Sequence, residues 1–216
     1  MTKPAQLIEL GSMEYLAAWG VQLRVMDEVR EGAPDTLILV EHPKVLTLGA
    51  NFHEENLLFT REKYAEMGVQ VHETDRGGDV TYHGPGQQVI YPIFDVSRHG
   101  KDLHKWMRDL EETMISVCRS FGLVAVRNPK VNTGAWVNDR KIAAIGVKIK
   151  RWVSIHGIAL NCENDLSDFN LINPCGITTH GVTSLSQELQ RPVPLLEVKP
   201  KIVEAFSQVF DLEFIA

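Results

Sequence analysis

Between residues 132 and 162, three apolar, strand-forming runs (132–137, 141–148 and 152–162) are separated only by the polar turns Asn138-Asp139-Arg140 and Lys150-Arg151. Gaps that short join antiparallel neighbours, so the segment predicts an antiparallel meander. Elsewhere the period changes. Leu16, Trp19, Leu23, Met26 and Val29 recur at three- and four-residue steps within 12–31, and Leu103, Trp106, Met107, Leu110, Met114, Val117, Cys118 and Phe121 do the same further on. Both stretches predict long amphipathic helices, the first ended by Gly32 and Pro34. The short runs 36–40 and 45–48, divided by Glu41-His42-Pro43-Lys44, read as a hairpin. Residues 60–67 predict a short helix, 88–95 a strand, and 184–189 and 198–210 two further helices, with Pro192, Pro194 and Pro200 restricting where those begin. Helices and strands mixed without strict alternation indicate an α/β (α+β) fold with a mixed, largely antiparallel sheet and flanking helices. At 216 residues, with no repeat, linker or low-complexity tract, one domain over 1–216 is expected.

A net charge of -6 runs against the basic footprint that displaces counterions from phosphate, so nucleic acid is not an expected partner. Residues 1–10 contain no apolar stretch of signal-peptide length, and no later segment approaches 18 uninterrupted apolar residues. A cytoplasmic protein without membrane association is therefore expected. Cys118, Cys162 and Cys175 are an odd number of thiols, which fits a reducing compartment better than a disulfide framework.

The densest chemical feature is 76–86, where Arg76-Gly77-Gly78-Asp79-Val80-Thr81-Tyr82-His83-Gly84-Pro85-Gly86 brings together four glycines, a cation, a hydroxyl, a phenol and an imidazole. Glycines let a ligand approach the backbone and leave N–H groups for an anion or a developing oxyanion. The spacing matches neither a phosphate-binding P-loop nor a dinucleotide fingerprint. Pro174-Cys175-Gly176 places a thiol in a polar loop, whereas Cys118 sits on a helix stripe and Cys162 ends an apolar strand, positions typical of inert buried thiols. Cys162, Cys175, His156 and His180 lack the paired spacing of a zinc site. A free thiol near pKa 8.5 is only a few per cent ionised at neutral pH, so a nucleophilic cysteine needs a neighbouring cation or base. Lys141, at the head of the strand Lys141-Ile142-Ala143-Ala144-Ile145-Gly146-Val147, is a candidate for that partner, and a solvated lysine at a hairpin end is the alternative.

Four motifs, R-G-G-D-V-T-Y-H-G-P-G-Q over 76–87, K-I-A-A-I-G-V over 141–147, H-G-I-A-L-N over 156–161 and N-P-C-G-I over 173–177, closely resemble the lipoyl (octanoyl) transferase family, in the family's order and over most of the chain. The resemblance implies the catalytic-domain fold of biotin and lipoate protein ligases. It also implies an enzyme that moves an octanoyl group from octanoyl-acyl carrier protein to a specific lysine of a lipoyl domain, through an acyl-cysteine thioester and without cofactor or metal. The implied nucleophile is Cys175, and Lys141 is the residue that lowers its pKa. The implied substrate-binding residues are Arg76, Gly77, Gly78, Asp79, Val80, Thr81, Tyr82, His83, Ala144, Ile145, Gly146, Gly157, Ile158 and Ala159, with packing the alternative for Tyr82. The implied acceptors are lipoyl domains of 2-oxoacid dehydrogenase complexes and the glycine cleavage H protein, served by a monomer. Two other readings compete. An ATP-dependent lipoate or biotin ligase would leave Cys175 idle, and a non-catalytic module that binds acyl carrier protein would have no use for Lys141.

Overall fold

Along the described residues of a computed structural model, 2–173 and 181–215, ten strands and five α-helices follow one another. They are β1 (Lys3–Ser12), α1 (Tyr15–Arg30), β2 (Asp35–Glu41), β3 (Val45–Leu48), α2 (Arg61–Glu66), β4 (Gln70–Glu73), β5 (Val80–His83), β6 (Gln87–Ile93), α3 (Leu103–Ser120), β7 (Gly134–Val137), β8 (Arg140–Lys150), β9 (Val153–Asn161), α4 (Leu185–Leu189), α5 (Leu195–Phe210) and β10 (Leu212–Ile215). The predicted meander is β7, β8 and β9, paired antiparallel. It forms one end of a seven-stranded sheet in the order β10-β1-β2-β6-β9-β8-β7. Among the described residues of this sheet, β1 alone pairs in parallel, with β2 and β10; β2–β6, β6–β9 and the meander are antiparallel, giving the mixed, largely antiparallel sheet expected.

The central strands are apolar on both sides because helices cover both faces. On β2, Leu37 and Leu39 join Trp106, Leu110 and Met114 of α3 and Phe206 and Phe210 of α5, while Ile38 and Val40 pack with Ala18, Val25 and Met26 of α1. Each large apolar side chain fully buried in these layers contributes about 1.5–3 kcal/mol. Among the described residues no helix is long and apolar enough to cross a membrane.

Three expectations require correction. The runs 36–40 and 45–48 are not a hairpin: β2 enters the large sheet, and β3 lies in a separate three-stranded sheet ordered β4-β3-β5. His42 of the intervening segment is buried and bonded through Nδ1 to the Met13 carbonyl and through Nε2 to Tyr91, so the segment crosses the interior between two layers. On α1 the buried face is Tyr15, Ala18, Gln22, Val25, Met26 and Val29, and Leu16 and Leu23 of the expected stripe are exposed. The helix is rotated because Gln22 turns inward to accept the His156 N–H at 2.8 Å. Finally, Pro200 lies inside α5 instead of before it, since Pro194 already caps that helix.

Candidate active site

The floor of the site is made by small residues. In the β8–β9 register Ala144 faces Ala159 and Gly146 faces Gly157, so two alternate cross-strand pairs, on one face of the sheet, carry almost no side-chain bulk. The missing volume is a cavity of about 710 Å³ opening over the sheet on the side where Tyr15 and Tyr91 also line it.

Its roof is the glycine-rich loop, which is braced from three directions. Gly49 N–H donates to the Asp79 carbonyl (3.1 Å), Ala50 N–H to that of Arg76 (2.9 Å) and Asn51 N–H to that of Gly78 (3.1 Å). Gly77 N–H donates to the Val147 carbonyl at 3.0 Å and so stitches the roof to β8. From within, the buried Arg76 guanidinium donates to Thr47 Oγ1 (3.0 Å), the Gly77 carbonyl (2.9 Å) and the Asp79 carbonyl (2.7 Å). A Cβ on Gly49 would collide with the Gly78 carbonyl, and Gly78 has φ +90°, so the loop's path requires glycine at both positions.

Arg76, Gly77, Gly78, Asp79, Thr81 and His83 line the cavity, as do Lys141, Ala144, Ile145, Gly146, Gly157, Ile158 and Ala159. Val80 and Tyr82 do not; alternation along β5 turns them into the core beneath the small sheet, where Tyr82 packs on Phe169 and donates to Asp168 Oδ2 at 2.6 Å. Cys175, with Pro174, Gly176 and His180, lies outside the described residues.

Lys141 lines the cavity, its Nζ 5.0 Å from the centre of the Trp136 ring. Gly134 makes room for it. With φ +151°, that residue would carry a Cβ only 3.3 Å from Lys141 Cε and in collision with the Ala143 carbonyl. Also lining the cavity is His156, at φ +59°, whose Nε2–H donates to Asp75 Oδ1 (2.7 Å) and whose Nδ1 accepts from Tyr15 Oη (3.4 Å). Burial holds His156 below the usual imidazole range, opposed by Asp75. Burial also drives His83 down to about 3, so this ring, bonded to Gln87 at 2.8 Å, is neutral at physiological pH. The other two thiols are unreactive: burial pushes Cys118 up to about 12 and Cys162 further still. Of the residues weighed for zinc, Cys162 is thus buried in the core and His156 is engaged by Tyr15 and Asp75.

Reading the sequence alone overlooked Tyr15, His53, Asn56, Tyr91 and Asn132, all of which line the cavity. Tyr15 carried a weak signal, a tyrosine at the mouth of a helix whose apolar stripe was otherwise satisfied. Asn56 carried none.

A family model described as lipoyl protein ligase A/B catalytic domain matches residues 14–207. An octanoyltransferase of Geobacter metallireducens is 46% identical over 94% of this chain and 92% of its own length. Among solved structures, the bipartite lipoate protein ligase of Thermoplasma acidophilum, analysed together with its E2 lipoyl domain, superposes with a TM-score of 0.77 at 17% identity, over 99% of this chain and 86% of that one. The biotin protein ligase of Aquifex aeolicus, in complex with biotin and ATP, gives 0.56 at 10% identity, over 95% and 70%. At these identities the two ligases share the fold.

Proposed function

Since the chain belongs to the lipoyl protein ligase A/B catalytic-domain family and is an acyltransferase akin to the octanoyltransferases, we propose that it carries octanoyl from octanoyl-acyl carrier protein to a lipoyl-domain lysine through an acyl-cysteine at Cys175. One observation supports this more than any other. Both flanks of 174–180 are hydrogen-bonded to residues lining the cavity: Asn173 N–H donates to the Asn56 carbonyl (2.9 Å), and Lys141 N–H donates to the Gly181 carbonyl (2.9 Å). The Lys141 carbonyl in turn accepts Thr183 N–H at 2.9 Å, so the backbone of the lysine is bonded on both sides to the chain that follows the cysteine.

In the first step the Cys175 thiolate, favoured by the Lys141 ammonium, attacks the thioester carbonyl. The tetrahedral oxyanion collapses, the carrier thiolate departs, and it takes up the proton from Lys141. The neutral Lys141 then accepts a proton from the incoming lysine ε-ammonium, whose amine attacks the acyl-cysteine. The tetrahedral intermediate loses its second nitrogen proton to solvent as it collapses, the amide forms, and the Cys175 thiolate is regenerated beside the protonated Lys141. Gly77 N–H is committed to Val147, which removes it as an oxyanion donor. The Ala and Gly floor accommodates the acyl chain, each buried CH₂ contributing about 0.8 kcal/mol. The whole chain serves as one catalytic domain, monomeric and cytoplasmic, and the glycine cleavage H protein is among its acceptors. No nucleotide or metal takes part.

Intact-mass measurement after mixing the protein with octanoyl carrier protein, without nucleotide, tests this. One octanoyl adduct is expected, discharged by an added lipoyl domain and absent from Cys175→Ser. A protein that stays unmodified until ATP and free octanoate are supplied is a ligase, and the proposal fails.

A further inference from the structure

We infer that Asn56 is a positioning residue for the transfer proposed above, tying the glycine-rich loop to the chain immediately before Cys175. The inference rests on that reading of the site.

Residues 54 and 55 and residues 58–60 are exposed, and Asn56 alone among them turns inward, to 7% exposure. Its carboxamide Nδ2 donates to Asp79 Oδ2 at 2.6 Å. Asp79 Oδ1 accepts Val80 N–H (2.7 Å) and His53 N–H (3.2 Å), so the carboxylate is held at both oxygens and acts as a hub of the roof. The Asn56 carbonyl accepts Asn173 N–H, and the neighbouring residues Leu57 and Ile172 form an antiparallel bridge. One residue therefore holds, through its side chain, the loop over the cavity and, through its backbone, the chain two positions ahead of Cys175. The other described anchors of the same stretch are different in kind. Tyr82 and Lys44 hold Asp168, and Tyr64 donates to the Leu171 carbonyl, but none of the three lines the cavity.

The chemistry of the pair explains why this position carries an amide. Its N–H donates to a carboxylate without adding charge, whereas a second carboxylate there would face Asp79 and push the two segments apart. A looser hold on Asn173 lowers the thiolate fraction of Cys175 and slows its attack together.

The test exchanges the partners. In the double variant Asn56→Asp with Asp79→Asn, the amide at 79 donates to the carboxylate at 56, and its oxygen still accepts the His53 and Val80 N–H groups, so every hydrogen bond is kept with the direction of one reversed. The readout is the pH dependence of Cys175 alkylation by iodoacetamide, located by peptide mass, which needs no substrate; Cys118 and Cys162 are buried and do not compete. Asn56→Asp should slow alkylation at pH 7 about tenfold and move the profile toward that of a free thiol, near 8.5. The exchange should return the rate to within about threefold of the native protein. Native alkylation in Asn56→Asp, or an exchange as slow as that single variant, overturns the inference. If Asn56→Asp fails to fold, the outcome of the exchange decides alone. Should the native protein accept no octanoyl group from the carrier, the transfer itself is wrong; should it be acylated while the Asn56 variants label normally, only the role of Asn56 falls.

Discussion

Three histidines, His42, His83 and His156, are buried around Tyr15, and burial is the leading cause that lowers the pKa of each. His83 reaches about 3, against 6.5 in an unfolded chain. Because the native state holds the His83 ring neutral, its contribution to stability is complete above pH 6.5 and is lost as the pH falls from there toward 3, when the unfolded chain takes up a proton that the folded one refuses. Urea unfolding should therefore show stability falling below pH 6.5, with His83 contributing a slope of up to about 1.4 kcal/mol per pH unit. His83→Gln should remove one proton from that slope; an unchanged slope would contradict the assignment. At this scale much of the site was legible. The glycine-rich loop announced itself by density, and Ala144, Gly146, Gly157 and Ala159 by being small where strands are normally bulky. Asn56 and Tyr91 were not legible, since each is a lone polar residue in an ordinary local pattern and reaches the cavity only through tertiary folding. Val80 and Tyr82 share the motif but face away from the cavity, because neighbouring strand residues point to opposite faces.

Among the elements, α1 shows how a helix can be predicted in the right place with the wrong face. Its apolar residues are spread around the cylinder, so periodicity alone cannot select among stripes, and the inward turn of Gln22 toward the His156 backbone settles the rotation. The consequence is measurable. Leu23→Lys should cost no more than about 0.5 kcal/mol, whereas Met26→Ala should cost about 2–5 kcal/mol by chemical denaturation. Equal losses would mean that the helix packs on the originally expected stripe. The meander, by contrast, was readable to within a few residues because its turns are too short for any other connection. The separation of β2 from β3 was hidden, since two short strands split by a polar turn look alike whether they pair with each other or enter different sheets. β1 and β10 escaped notice for a similar reason: they pair in parallel across almost the whole length of the chain, and no local pattern records so distant a partner.

Over the whole molecule, two sheets meet at one cavity, joined there by specific hydrogen bonds. Gly77 joins the roof to β8, Asn56 joins the roof to the chain before Cys175, and Lys141 carries the chain after it. A large sheet packed on both faces supplies the rigid floor, and the small sheet supplies a loop whose shape depends on glycine at 49 and 78. The proposed transfer depends on the Cys175 thiolate being sustained by the Lys141 ammonium. The most direct measurement is the rate of Cys175 alkylation against pH in the native protein and in Lys141→Ala. The account predicts a native thiol that reacts well below pH 8.5, and a variant whose profile moves up to about that free-thiol value. Superimposable profiles would contradict it.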